Sequence, residues 1–347
     1  MIDIKTLVKE AAMFNASDIH LSEGSMPKVR VDGELIDLPG YPVLTDADLE
    51  AAAMEISGGD PFPHKGEQDL SIEASGHRLR VNIYRQSRHV AIALRILSDN
   101  IPELEKLGLP RVVGDFPFYK KGIVLVTGET GSGKSTTLAA ILRKVNEKRT
   151  AHIITLEDPI EYVHKEDKCL IDQREIGTDT DSYANGLRAI LREDPDVILI
   201  GEMRDLETTS IALTAAETGH LVFATLHTNS AADSVERMVN IFPPEQQHQA
   251  RMQISTTLKA VLSQQLLKKR AGGRVAACEV MIVNNAIQSL IREGKTAMIF
   301  SAIGTSRDIG GVTMDNSIIE LYQSRVISKE TALRSAHDIE YVEKGVF

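Results

Sequence analysis

From residue 118 onward the apolar residues of this chain gather in short unbroken blocks: Gly122–Thr127, 153–156, Val197–Ile200 and Leu221–Leu226. Blocks this short, rich in Ile, Val and Leu, suit strands covered on both faces. Helical periodicity fills the intervals near 134–147, 182–193 and 205–218. Strands alternating with helices predict a mainly parallel sheet joined by right-handed crossovers. From Ser230 the pattern turns largely helical, with one interruption at Arg274–Ile282, and about 285–347 reads as a helical C-terminal part.

A different pattern occupies residues 1 to about 100. Ile4, Leu7, Val8, Ala11 and Ala12 recur at helical spacing, and Thr45 stands as the N-cap of a second helix. Runs at 18–21, 28–31, 34–37, 77–84 and 89–96 predict strands, with turn signals at Gly24 and Asp32-Gly33. This is a small α+β module. Gly58-Gly-Asp-Pro-Phe-Pro63 reads as a surface loop, and the stretch 98–117 carries three prolines. The expected organisation is therefore a first domain over 1–100, a linker over 101–117 and a second domain over 118–347. There is no internal repeat and no low-complexity segment.

Composition narrows the setting. The 347 residues are 42% hydrophobic and 25% charged, as in ordinary globular proteins. The first ten residues lack the basic and apolar regions of a secretion signal, and no apolar run approaches the roughly 18 residues of a membrane span. Two distant cysteines, Cys169 and Cys278, build no disulfide framework and read as buried thiols in a reducing compartment. A net charge of −10 argues against a general nucleic-acid coat, because phosphate neutralisation supplies most non-specific affinity. Lys268, Lys269, Arg270 and Arg274 make a local basic cluster, which solvent alone accounts for.

The chemistry begins at Gly128-Glu-Thr-Gly-Ser-Gly-Lys-Ser135, which fits Gly-x4-Gly-Lys-[Ser/Thr] between a β-branched run and a helical pattern. At average glycine usage the bare pattern arises by chance in about one chain in a hundred. Gly128, Gly131 and Gly133 let the backbone curl so that the N–H groups of Glu129, Thr130, Ser132 and Thr136 face a phosphate chain. A helix N-terminus is aimed at the same spot. Lys134 is placed to reach the β- and γ-phosphates, and the Ser135 hydroxyl to ligate Mg²⁺. ATP and Mg²⁺ are the expected ligands.

In a parallel sheet, ligands sit at the carboxyl ends of the strands. The 153–156 strand ends in Glu157-Asp158-Pro-Ile-Glu161, the 197–200 strand in Gly201-Glu202, and the 221–226 strand in His227, with His220 just before it. Glu202 suits the Mg²⁺ side, through a metal-bound water, although Gly201 stands where a metal-binding Asp is expected. Glu161 is the candidate for activating the attacking water, while Asp158 equally suits a cap on the next turn. His220 and His227 are candidates to donate to a γ-phosphate, His227 the stronger of the two. The first module carries Arg78, Arg80, Arg85, Arg88 and Arg95. Arginine forks suit phosphate, and Arg80 and Arg95 fall on adjacent predicted strands, where a solvated strand face is the alternative.

Taken together, the phosphate loop, Ile154-Thr-Leu-Glu-Asp-Pro-Ile-Glu-Tyr-Val-His164, Arg192-Glu-Asp-Pro-Asp-Val-Ile-Leu-Ile-Gly-Glu-Met-Arg-Asp205 and Glu217-Thr-Gly-His-Leu-Val-Phe-Ala-Thr-Leu-His-Thr-Asn229 resemble the secretion-superfamily ATPases. They correspond there to the Walker A, Asp-box, Walker B and His-box motifs. The likeness is strongest to the type IV pilus retraction ATPases and extends over essentially the whole chain. Ala16-Ser-Asp-Ile-His-Leu21 resembles the start of that family's PAS-like domain, and Ala286-Ile-Gln-Ser-Leu-Ile-Arg-Glu293 its C-terminal retraction signature, with Gln288 and Ser289 replacing Arg and Asn. The four-cysteine zinc module of the extension and type II secretion ATPases is absent.

The resemblance implies an α/β chain with an N-terminal PAS-like domain and a RecA-like P-loop domain, assembled as a homohexamer with nucleotide between the domains. It implies catalytic roles for Glu161 and Glu202, His-box roles for His220 and His227, and interdomain phosphate contacts from Arg80 and Arg95. The expected function is a cytoplasmic ATP-hydrolysing motor for pilus retraction, that is, pilin disassembly and twitching motility. It would sit at the cytoplasmic face of the inner membrane on a pilus platform protein, with a second retraction ATPase as a further partner and without nucleic acid. Alternatives are an extension, DNA-uptake or accessory motor of the same superfamily, or a nucleotide-gated scaffold with little turnover.

Overall fold

The computed structural model describes residues 2–31, 34–59, 62, 66–97 and 100–346. The Asp32-Gly33 turn, and parts of the 58–63 loop and of the 98–117 stretch, lie outside the described residues. The chain forms two compact units, one of residues 1–100 with 161–163 and one of residues 101–160 with 164–347.

In the first unit, α1 (Ile4–Met13) is capped by the Asp3 carboxylate, and α2 (Asp46–Ile56) opens with a reciprocal capping box between Thr45 and Asp48. Six strands follow or flank them: β1 (Asp18–Ser22), β2 (Lys28–Val31), β3 (Glu34–Asp37), β4 (Glu67–Ala74), β5 (His77–Gln86) and β6 (His89–Ile96). They form one antiparallel sheet in the order β3-β2-β1-β6-β5-β4. Leu7, Val8 and Ala11 of α1 and Leu49, Ala52 and Ala53 of α2 close the core against inward residues such as Ile19, Leu79, Val81 and Leu94. Strand β4 escapes the sequence pattern because its residues, Glu-Gln-Asp-Leu-Ser-Ile-Glu-Ala, are mostly polar and lie at the sheet edge.

The second unit is the α/β body. Its strands are β7 (Gly122–Thr127), β8 (His152–Glu157), β9 (Leu170–Glu175), β10 (Val197–Ile200), β11 (Leu221–Leu226), β12 (Leu258–Lys268) and β13 (Arg274–Ile282), in the order β13-β12-β7-β11-β10-β8-β9. All pairings are parallel except that of β12 with β13. Four helices accompany the crossovers: α3 (Lys134–Lys148), α4 (Tyr183–Ile190), α5 (Leu206–Glu217) and α6 (Ala231–Asn240). Alternate residues of each central strand feed opposite cores. Ile123, Leu125, Val222 and Ala224 join one, while Val124, Val126, Leu221 and Phe223 join the other. That explains why the sequence shows blocks and not alternation. Both thiols are buried and free: Cys169 beside the α3 terminus, and Cys278 in β13. Burial pushes the Cys278 thiol up to about 12 and raises that of Cys169 as well.

Two expectations need correction. The stretch 101–117, expected as a linker, is built into the second unit as two 3-10 turns, and Leu104, Val113 and Phe116 pack in the core beneath α3. Pro110 opens the second of these turns and Pro117 lies within it, so the prolines there do not loosen the chain. The largely helical reading after Ser230 misses β12, an eleven-residue strand beside β7. Its Leu, Lys, Ala and Gln residues favour helix locally, and burial between two strands overrides that preference. The helical remainder comprises α7 (Gln247–Thr257), α8 (Asn285–Arg292), α9 (Ile299–Gly304), α10 (Met314–Gln323), α11 (Lys329–Ser335) and α12 (Ile339–Gly345), the last three around a small core of their own. In α8, Ile287 and Ile291 enter the main core, and Ser289 accepts a hydrogen bond from Arg292 at 2.9 Å. No helix among the described residues is long and apolar enough to cross a membrane.

Candidate active site

Strand β7 delivers the chain to Gly128, and α3 begins at Lys134, so residues 128–133 form a cradle on a helix N-terminus. The glycines there are required. Gly128, Gly131 and Gly133 have φ of 139°, 81° and 94°, and a Cβ on Gly128 would lie 2.3 Å from the Gln264 carbonyl oxygen. Lys134, only 9% exposed, turns its Nζ into the curl and donates to the carbonyls of Gly128 (2.8 Å) and Glu129 (2.9 Å). The Ser132 hydroxyl is buried inside the cradle without a hydrogen-bond partner. A backbone ring closed on an ammonium, with an unsatisfied hydroxyl, fits the phosphates of a nucleotide. Ser135 follows Lys134 on the first turn of α3, where its hydroxyl suits Mg²⁺.

Register carries the rest of the site. Because β11 pairs with β7 as Leu226↔Thr127, His227 stands beside Gly128. Because β10 pairs with β11 as Ile200↔Ala224, Glu202 falls level with Leu226, one residue short of His227, one strand further on. Strands repeat every ~4.8 Å, so Glu202 lies roughly 10 Å from the cradle with His227 between them. The Glu202 carboxylate is gripped from two sides, by Arg204 Nε at 2.5 Å and His227 Nε2 at 3.2 Å. Burial pushes its carboxyl up, and the Arg204 and His227 contacts outweigh that effect, holding it below the usual carboxylate value. Thr225 donates its hydroxyl to the Gly201 carbonyl, and Gly201 N–H donates to Leu156 O at 2.7 Å. A Cβ at Gly201 would meet Tyr183 Oη at 2.8 Å and Leu156 O at 3.1 Å, which explains why no Asp stands at this strand end. An Asp at this strand end would require Tyr183 to move aside.

The other expected residues are distributed unevenly. His220 lies at the opposite end of β11, its carbonyl accepting from Gly122 N–H and its Nδ1 2.8 Å from Ala215 O. A six-residue strand spans roughly 20 Å, so its own chain's cradle is out of reach and the expected γ-phosphate contact is not formed there. Glu161 is exposed and belongs to the first unit. Arg80 and Arg95 are direct cross-strand partners on β5 and β6. Like charges placed opposite one another repel, and each has an anion beside it: Asp69 4.0 Å from Arg80, and Asp18 2.8 Å from Arg95. Asp18 is 9% exposed; burial raises its carboxyl, and Arg95 and Ser17 bring it below the ordinary value.

Sequence reasoning overlooked several groups at the cradle. Arg204 was part of a recognised motif without a role, yet it is the tighter of the two partners of Glu202. Asn229 reaches Glu129 Oε1 at 3.4 Å. Gln264, a polar residue in the buried run of β12, donates to Thr137 at 3.0 Å beside the cradle. A cavity of about 390 Å³ opens from Glu129–Ser132 toward Gln265, Arg274, Arg334 and His337. Arg334 comes from α11 and His337 from the turn that follows it, and nothing in their spacing points to nucleotide.

Comparison with known proteins places these features. A family model described as type II/IV secretion system protein matches residues 1–325. The chain is 46% identical over 339 residues to the type IV pilus retraction ATPase PilT of Pseudomonas aeruginosa, covering 96% of this chain and 98% of that one. It is 45% identical over 318 residues to a twitching motility protein of Neisseria gonorrhoeae, covering 90% of this chain and 85% of the relative. Among solved structures, the pilus retraction motor PilT with bound ADP superposes with a TM-score of 0.90 at 44% identity, over 99% of this chain and 100% of that one. Matched by that family model over most of its length and by relatives at 46% and 45% identity, the chain belongs to the type II/IV secretion system protein family.

Proposed function

We propose that this protein is an ATP-hydrolysing motor that drives type IV pilus retraction, and so twitching motility. The observation that carries the reading is the line of groups across the carboxyl ends of the central strands β7, β11 and β10: the Lys134 cradle, then His227, then Glu202 held by His227 and Arg204. In this reading the amides of residues 129–136 and Lys134 bind the ATP phosphates. Ser135, and Glu202 through a water, would hold Mg²⁺, which would supply positive charge to offset that of the phosphates. The Glu202–His227 pair fixes the imidazole beside the cradle, so the ring can exchange contacts as the γ-phosphate comes and goes. A ligand drives motion only through such a difference between two arrangements.

Glu161 activates the water, and Arg80 and Arg95 add cationic forks to the phosphates, from the same chain or from a neighbour. His220 takes no step at its own chain's phosphate. The motor works as a homohexamer in the cytoplasm, against the inner membrane on a pilus platform protein, with a second retraction ATPase as a further partner. ADP bound to the similar retraction motor supports the choice of nucleotide.

Deleting the gene in its host is expected to leave more surface pili and abolish twitching; fewer pili would instead assign an extension role. Lys134→Ala and Glu202→Gln are both expected to fold. Lys134→Ala loses nucleotide affinity, whereas Glu202→Gln keeps it and loses turnover by a factor on the order of 10² or more. A Glu202→Gln chain turning over ATP at the wild-type rate would favour the scaffold reading.

A further inference from the structure

A second cavity of about 450 Å³ is lined by Asp233, Glu279, Asp315 and Asp338, together with Phe300, Ile303 and His337. Four carboxylates surround it, and they are not equivalent. Asp315 accepts the backbone N–H groups of His337 (2.8 Å) and Asp338 (3.0 Å), and Asp338 caps α12 through Tyr341 N–H at 3.0 Å. Glu279, on β13 and 1% exposed, accepts Ala231 N–H at 2.8 Å with Oε1; its buried Oε2 meets no donor at hydrogen-bond geometry, and the Met314 amide acts on the carboxyl only from outside that geometry. Burial pushes the Glu279 carboxyl up. The amides of Ala231 and Met314 and the His337 ring pull it back in part, and Asp233 adds to the rise. A buried acceptor left unsatisfied calls for an explanation.

We infer that this cavity is a receptor for an arginine side chain presented by a polypeptide partner, with Glu279 Oε2 as the seat of the guanidinium and Asp233 as its second anion. Three features select that ligand. Among the described residues no three acidic, histidine or cysteine groups converge to hold a metal ion, so the charge favours a cation that brings its own hydrogen-bond donors. Phe300 and Ile303 line the same cavity, and a guanidinium, flat and weakly hydrated, stacks on such walls better than an ammonium does. The surrounding acids repel a free α-carboxylate, which favours a residue within a peptide over the free amino acid. The volume lies in the range of built binding sites.

The receptor adjoins the nucleotide site through two short links. Asn229 borders both cavities and contacts Glu129 of the cradle, and His337 borders both and lies 3.4 Å from Gln265.

The test is binding to the full chain, so it is independent of turnover and stands whether or not the motor reading holds. N-acetyl-argininamide, followed by thermal shift and by ligand-detected NMR, is expected to bind the wild type. Glu279→Gln, which keeps the acceptor for Ala231, is expected to weaken it roughly tenfold or more, and Asp233→Asn, on an exposed helix turn, by less. The neutral isostere N-acetyl-citrullinamide and free arginine are expected to bind far more weakly. Equal binding by the wild type and Glu279→Gln, or by argininamide and citrullinamide, overturns the proposal. So does a failure of argininamide to bind the wild type. Sedimentation of the Asp233→Asn chain then separates two sources of the same chemistry. Weakened self-association puts the arginine on a second copy of this chain, and unchanged self-association puts it on a different protein.

Discussion

Gly201 shows how one residue reconciles an expected motif with the space available to it. The strand end offers a cation-binding position that an Asp ordinarily fills, but Tyr183 Oη and Leu156 O occupy the room a side chain would need. Gly201→Asp is therefore expected to lose about 1–3 kcal/mol of stability by overpacking, read as a lowered denaturation midpoint. Adding Tyr183→Phe, which removes the obstructing hydroxyl, is expected to restore part of it; no recovery would place the clash elsewhere. The neighbouring Glu202 makes a separate prediction. Its folded carboxyl titrates below the unfolded value of about 4.5, so its contribution is complete above that pH and is lost as the pH falls through the lower folded value. Acid unfolding of Glu202→Gln is expected to show a shallower limb in that window than the wild type.

Among the elements, what was legible in the sequence divides along a physical line. Strands β7, β8, β10 and β11 announced themselves because burial on both faces demands apolar blocks, and α2 because Thr45 and Asp48 complete a local capping box. Elements whose identity depends on remote partners stayed hidden. The polar edge strands β4 and β9 borrow their order from one neighbour each, and β12 is a strand only because β7 and β13 enclose it. The site followed the same rule. The cradle and Glu202 could be read from local motifs, whereas Gln264 and His337 reach the cradle only through tertiary packing. Strand β12 also anchors β7 just before the cradle, where Ser263 Oγ and Thr127 Oγ1 are 2.8 Å apart and fully buried. Ser263→Ala strands the Thr127 hydroxyl and is expected to cost about 1–3 kcal/mol. Ser263→Ala combined with Thr127→Val removes both polar partners and is expected to cost less than the single change, as chemical denaturation would show.

For the molecule as a whole, a motor needs charge in one unit that matters to chemistry in the other, and the two arginines of the first unit allow that to be separated from folding. Arg80 is half exposed and only loosely paired, so Arg80→Ala is expected to change stability by no more than about 0.5 kcal/mol while lowering ATP turnover. Arg95→Ala also strips a nearly buried Asp18 of its partner, so it is expected to destabilise as well, most visibly above the folded value of that carboxyl. If Arg80→Ala left turnover untouched, Arg80 would have no part in the chemistry. Arrangement between copies was not legible from any local pattern, because it resides in surfaces rather than in motifs. Finally, the burial of both native thiols has a practical side. With Cys169 and Cys278 enclosed and poorly ionised, the wild-type chain is already a silent background for maleimide chemistry. A single exposed position such as Arg88, changed to cysteine, would then accept a fluorophore selectively, and the motion of one subunit during a turnover could be followed as light.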